Sequence, residues 1–266
     1  MNISSSVVKK TARTALKGKY FKAVIVSCIF VFAWLVLYTC YAILRSIAGL
    51  FAGFAFFAAA LVLLMFPLAQ GFVYFSVRLI FGSDCEPLTL FKYFSGAKEY
   101  FKALKLSLTL SGNAVLMGIF LFLPAIFCDL VANGYFFKML NMQIPVWASG
   151  LWTLSFILKT VALAILLTAM LKFYLSPFLL AADENMKVLE ALSISRIIAP
   201  VTRREFIFLV LGFICYIVAC IFVIPTIFLL PYFAAAYAVH CRYAVAAYNK
   251  NADGVAVPSF EADISF

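Results

Sequence analysis

Long apolar runs alternate with short basic connections along this chain. The runs recur at about 20 residues each, enough to cross a bilayer core of roughly 30 Å. Six are read as spans, at about 22–44, 58–81, 105–127, 160–182, 206–224 and 226–248. Only the neighbourhood of Pro225 separates the last two, so a five-span count stays open. The stretches "SIAGLFAGFAFF" (46–57) and "IPVWASGLWTLSF" (144–156) extend the second and fourth spans at their outer ends, as longer helix or as interfacial segments. Trp147 and Trp152 suit an outer aromatic belt. The alternation of lipid-facing and lumen-facing residues that marks a β-barrel is missing. The predicted fold is all-α: a polytopic transmembrane helical bundle forming one membrane domain over 1–248.

Composition agrees with the pattern. Of 266 residues, 66% are hydrophobic and 12% charged, against roughly 25% charged in a soluble domain. Mean hydropathy is +1.08. The first apolar run is too long for a signal h-region and lacks a small-residue cleavage site, so no signal peptide is expected.

The net charge of +10 sits between the apolar runs. That placement points to an anionic membrane surface rather than to nucleic acid. In the six-span reading, seventeen lysines and arginines fall on one side and three (Arg45, Lys138, Lys159) on the other. The positive-inside rule makes the first side cytoplasmic, with both termini there. The expected location is a cytoplasmic (inner) membrane.

Basic residues and an aromatic precede three of the spans, in "LKGKYFKAVIVSCIF" (16–30), "SGAKEYFKALKLSLTL" (95–110) and "VTRREFIFLVLGFI" (201–214). Before each lies a segment able to form an amphipathic helix. Residues 1–21 are the clearest. Lys9, Arg13 and Lys17 recur every fourth residue, beside Val8, Ala12 and Leu16. In the second segment Lys98, Lys102 and Lys105 share a stripe. In the third, Lys187, Glu190 and Ser193 oppose Val188, Leu192 and Ile194 less cleanly. Such helices lie in the interface with cations at lipid phosphates, so Lys9, Arg13, Lys17, Lys98, Lys102 and Lys105 are the candidate lipid-headgroup contacts. The implied unit is an interfacial helix plus a helical hairpin, repeated three times. The tail, 249–266, has turn formers and no apolar period, and reads as disordered and cytoplasmic.

Candidate chemistry is sparse. No cysteine spacing suits a metal, and the seven cysteines read as unpaired packing residues. His240 is the only histidine and reads as a hydrogen-bonded packing residue, with a proton relay as the alternative. Gly49 and Gly53 give a small-xxx-small pattern, suited to simple packing or to a dimer contact. The strongest signal is "LKFYLSPFLLAADEN", 171–185. At 100° per residue Thr168, Lys172, Ser176 and Asp183 fall on one stripe, a candidate polar seam. Pro177 withdraws its N–H and frees the Phe173 carbonyl for a hydroxyl, a water or the lysine. Asp183 or Asn185 can cap the next helix. Lys172 either snorkels toward the headgroups or faces the bundle interior.

The segments "ARTALKGKYFKAVIV", "PLAQGFVYFSVRLIFG…EPLTLFKYFSGAKEYFKALKLSL", "LKFYLSPFLLAADEN…ALSISR" and "LLPYFAAAYAVHCRYAV" appear in that order. Together, over about 7–248, they resemble a bacterial family of integral membrane proteins known only as a domain of unknown function (number nine-seven-five). The family is distantly like the membrane domain that accompanies some glycerophosphodiester phosphodiesterases. The resemblance implies a multi-span fold and carries no catalytic residue. At one point the chain departs from it: "FGSDCE" stands where the family has arginine-glycine-glutamate.

These observations lead to an expectation of a non-enzymatic membrane protein with a binding or organising role and no cofactor or metal. Its expected partners are the bilayer and anionic lipid headgroups, with a second copy or another membrane protein as candidates, and no nucleic acid. The alternative is a transporter or channel component built on the Lys172 seam.

Overall fold

The computed structural model describes residues 5–81, 86–134, 150–214 and 223–251, and all secondary structure among them is helical. The chain divides into two compact units: Met1–Ser107 with Phe173–Phe266, and Leu108–Lys172.

The larger unit begins with α1 (Ser5–Leu16). Gly18, at φ 82°, takes a left-handed conformation that a side chain would disfavour, and so separates α1 from α2 (Tyr20–Ala48). A second left-handed glycine, Gly49 at φ 88°, breaks the apolar run and starts α3 (Leu50–Phe81). The chain folds back there. Tyr41 meets Phe54 and Phe57, and Trp34 meets Phe57, at ring separations of 5.2–6.4 Å. A Cβ on Gly53 would stand 3.0 Å from that of Arg45. Gly49 therefore makes the turn and Gly53 lets the two helices close beside it. The stretch 46–57, read as an extension of the second span, is divided between two helices. α3 carries one π turn, Leu61–Met65, before Pro67.

A 3-10 segment, Pro87–Phe94, then crosses α3. Gly71 makes the crossing possible: a Cβ there would lie 1.9 Å from the Leu90 carbonyl oxygen. Leu90 is fully buried against α3 as a result. The Ser95 hydroxyl donates to the Lys92 carbonyl at 2.6 Å and ends the segment. α4 (Ala97–Ala132) follows.

After its long apolar stretch, α5 (Gly150–Ala182) tightens into a 3-10 turn at Leu171–Phe173 and resumes at Ser176–Ala182. That last piece is buried on nearly every side, as a helix apolar all round must be. α3 and α6 (Val188–Leu211) both pack on it. α7 (Val223–Asn251) lies against α1, α2 and α3. Its buried Ala234, Ala235, Ala236 and Ala238 allow that close approach. Val8, Ala12, Leu16, Ala23, Phe72, Phe75, Leu79 and Val239 meet in the core.

The smaller unit pairs segments of α4 and α5. Their surfaces are largely exposed and apolar, with Phe120, Phe127 and Phe156 each more than 60% accessible.

Among the described residues four helices, α2 to α5, are long and apolar enough to cross a membrane. Three features depart from the sequence reading. Residues 188–194 and the start of the fifth span form one continuous helix, α6, that runs through Pro200. The second amphipathic segment is a 3-10 turn followed by a fresh helix start, not a single helix. The tail's first residues, 249–251, belong to α7. Trp147, Lys138, Cys85, 215–222 and 252–266 lie outside the described residues.

Candidate functional site

Gln70, Tyr74 and Arg78 recur every fourth residue along α3 and so share one face. This stripe meets the junction between α5 and α6. The Gln70 amide donates to the Pro177 carbonyl at 2.9 Å. The Tyr74 hydroxyl donates to Glu184 Oε1 at 2.8 Å, and Arg78 reaches the same oxygen at 3.1 Å. Arg78 Nε also donates to the Tyr74 hydroxyl, and the guanidinium lies over the Tyr74 ring. Lys92, from the 3-10 segment, stands 3.6 Å from the carboxylate. Lys102, from α4, donates to the Glu184 backbone carbonyl at 2.5 Å. One acidic residue thus gathers three cations and a phenol from α3, α4 and the 3-10 segment.

The electrostatics follow from this geometry. The Tyr74 hydrogen bond, with Lys92 and Arg78 beside it, holds the Glu184 carboxyl below its ordinary range against the opposing effect of partial burial. Tyr93 packs edge-on to Tyr74. Burial pushes its phenol up to about 12, so it stays neutral. Glu99 and Asp183 also act on Lys102, so the anchor sets its cations against more than one acid.

A second polar group lies under the break in α5. The Tyr174 hydroxyl is 2.7 Å from Thr202 Oγ1 and 3.2 Å from His240 Nε2. Phe206 stacks on the Tyr174 ring at 4.2 Å. The Tyr237 hydroxyl donates to the Tyr174 carbonyl at 2.6 Å. His240 is 1% exposed. It is a hydrogen-bonded packing residue, tying α7 to the unwound turn.

In the smaller unit Asp129 accepts from the Ser155 hydroxyl at 2.5 Å and pairs with Lys159 at 2.5 Å. Ser155 also lies 3.1 Å from the Ala125 carbonyl. The reading by spans left Asp129 and Lys159 in connections. Both are on helices, where they latch α4 to α5. α4 is 36 residues long, about 54 Å at 1.5 Å per residue. That exceeds a bilayer core of roughly 30 Å, so the pair needs no place at mid-membrane.

The proposed seam residues divide between the two units, Thr168 and Lys172 in the smaller and Ser176 and Asp183 in the larger. Thr168 is exposed, and its hydroxyl donates to Ile165. Lys172 is exposed, on the 3-10 turn. Ser176 is buried and donates to the Phe173 carbonyl at 2.6 Å. The hydroxyl, not the lysine, satisfies the group that Pro177 frees. Asp183 accepts the Asn185 N–H at 2.8 Å, which makes a local turn. α6 starts later, after Lys187, with no side-chain cap. The 3-10 turn also interrupts the 100° register that placed Thr168 and Asp183 on one stripe. Lys172→Leu and Lys172→Arg test the seam by thermal unfolding in detergent: an interior seam requires a clear loss for leucine, rescued in part by arginine, and a leucine variant as stable as the wild type removes it.

The candidate headgroup cations also separate. Lys9 donates to the Gly212 carbonyl at 2.6 Å and sits over the Phe213 ring. Arg13 lies over the Tyr232 ring. Lys102 serves Glu184. Lys17, Lys98 and Lys105 are exposed. The apolar face of α1 is not turned toward lipid: Val8, Ala12 and Leu16 are at most 4% exposed, packed within the chain. The periodicity that identifies an interfacial helix identifies equally a helix docked on a protein core.

The Glu184 cluster escaped the sequence reading. Its signal was present in Gln70, Tyr74 and Arg78, a polar stripe in an apolar run with no acid of its own. Comparison with family models, curated proteins and solved structures finds no match to the chain.

Proposed function

We propose that the chain is a non-enzymatic, multi-pass protein of a bacterial cytoplasmic membrane that binds anionic lipid at its basic end and organises components there. This reading keeps it in the family its motifs resemble. The observation that carries it is the arrangement of the larger unit. α1 docks on a well-packed core, and the end of α3, the 3-10 segment and the start of α4 bring their cations together at Glu184. α2 and the first part of α3 leave their apolar side chains exposed, including Phe32, Ile47 and Phe51. Exposed apolar helices suit lipid, and a fixed array of cations suits an anionic leaflet. The four apolar helices cross the membrane in this reading, the spans at 206–224 and 226–248 add a further pair of crossings, and both termini are cytoplasmic.

A transporter reading has one observation on its side, the break in α5 at 171–175. Unwound carbonyls in a span coordinate ions or substrates in many transporters. Here the Phe173 and Tyr174 carbonyls accept from Ser176 and Tyr237. The organising role therefore has the stronger support.

Topology tests the proposal directly. Cys128 and Lys98 lie near opposite ends of α4, about 45 Å apart at 1.5 Å per residue. With the other cysteines replaced, an impermeant thiol reagent on intact cells should label Cys128. The thiol of a Lys98→Cys variant should react only after permeabilisation. The reverse pattern inverts the orientation, and labelling of both from outside removes the crossing.

A further inference from the structure

Two of the cations on the N-terminal amphipathic segment meet at one groove. Arg13 of α1 and Lys17, in the turn after it, line a hollow of about 410 Å³ with Tyr20 of α2 and with Phe228 and Tyr232 of α7. That volume lies within the roughly 300–1,000 Å³ of small-molecule sites. Local sequence builds it. Leu16 is buried in the core and fixes the end of α1, and Gly18, at φ 82°, turns the chain into α2. The Tyr20 hydroxyl donates to the Phe228 carbonyl at 2.7 Å, so it ties α2 to α7 and is already committed. The Arg13 guanidinium lies over the Tyr232 ring, 5.4 Å from its centroid, which holds the charge at the groove.

Both cations are exposed, and among the described residues the side chain of neither makes a hydrogen bond or an ion pair. Like charges four residues apart repel, and an anion between them relieves that repulsion. Guanidinium and ammonium groups bind phosphate oxygens by charge-assisted hydrogen bonds. The hollow also has an apolar continuation. A second groove of about 460 Å³ runs along the same two helices, lined by Cys28, Phe32 and Leu35 of α2 and by Ile227 of α7. Ile227 adjoins Phe228, so the two share the α7 wall. Cys28 and Phe32 stand about 12–18 Å beyond Tyr20 at 1.5 Å per residue. One leaflet of a core roughly 30 Å thick has a similar depth. A pair of cations at the basic end, followed by an apolar groove one leaflet long, matches a molecule with a phosphate at one end and hydrocarbon at the other.

We infer that the α1–α2 turn and α7 form a binding site for one anionic phospholipid, its phosphate held between Arg13 and Lys17 and an acyl chain lying along the Cys28–Ile227 groove. The inference rests on the anionic-lipid reading above and narrows it from a surface to a site. It also gives α1 a role: with its apolar face docked in the core, the helix presents a pair of cations to one bound lipid.

The experiment uses the full chain in detergent, with native mass spectrometry of added lipid. Phosphatidylglycerol should bind with defined stoichiometry and phosphatidylcholine far less. The Arg13→Gln, Lys17→Gln double variant should bind phosphatidylglycerol roughly thirty-fold more weakly, as expected for two cations near the phosphate. The Arg13→Lys, Lys17→Arg variant should retain binding and control for folding. Lys98→Gln, which removes an exposed cation on α4, should leave binding unchanged. Cys28→Trp fills the apolar groove without altering charge and should weaken binding; unchanged binding there would overturn the place given to the acyl chain. Equal losses for Lys98→Gln and the double variant would show diffuse attraction and overturn the site while sparing the broader reading. Absence of any phosphatidylglycerol preference in the wild type would overturn both. Displacement of the lipid by millimolar inorganic phosphate would overturn the lipid as occupant in favour of a free anion.

Discussion

Gly71→Ala is expected to disrupt the larger unit. The added methyl would stand 1.9 Å from the Leu90 carbonyl oxygen, and both atoms belong to backbone or to a Cβ that cannot rotate away. Relief requires the 3-10 segment to lift off α3. Overpacking costs about 1–3 kcal/mol and occasionally more, and the absence of a flexible neighbour places this substitution at about 3 kcal/mol or above. The same movement withdraws Lys92 from Glu184 and Tyr93 from Tyr74. Gly118→Ala is the control. Gly118 lies within α4 with nothing within 4 Å of the added atom, so the change should be neutral or stabilise by about 0.5–1 kcal/mol through helix propensity. Thermal unfolding in detergent distinguishes them. A Gly71→Ala protein as stable as Gly118→Ala would mean that the 3-10 segment does not cross α3 at backbone contact.

The helical character of the chain and the position of its apolar segments were legible in its pattern, because runs this long permit few other structures. α1 was legible too: Val8, Ala12 and Leu16 do form a buried face. What covers that face was not, since a period of four records amphipathicity and says nothing of the second surface. Gly49 shows a related limit. As one member of a small-xxx-small pair it read as packing, but its left-handed backbone makes it the turn of a helical hairpin. The Glu184 cluster depended on contacts more than 80 residues apart in sequence. Local spacing marked Gln70, Tyr74 and Arg78 as polar, and Glu184 as the end of an apolar run, without joining them. The Lys172 stripe assumed unbroken helix through residues where the chain tightens and turns.

Those same long-range contacts make Glu184 the residue whose charge matters most to the basic end. Its side chain is 43% exposed, so each ion pair alone is worth little, about 0–1 kcal/mol. The Tyr74 hydrogen bond and the two cations on one carboxylate raise the stakes. Glu184→Gln keeps an acceptor but leaves Arg78 and Lys92 without a counter-charge, and should destabilise by about 1–2 kcal/mol. Glu184→Lys adds a cation beside Arg78, Lys92 and Lys102 and should cost more. The pH dependence has a definite sign. The carboxyl is held below its ordinary range in the folded chain, so the unfolded chain takes up the proton first as pH falls. The stabilisation is complete above the ordinary carboxylate range and is lost as pH drops through the depressed folded value. Thermal unfolding of wild type and Glu184→Gln from pH 7 down to acid should therefore converge, the difference being largest at neutral pH. High salt should also shrink it, because the pairs are partly exposed. A difference that stays constant across pH and salt would assign the loss to packing, and would remove the charged anchor from the account of how α3, α4 and the junction before α6 are held together.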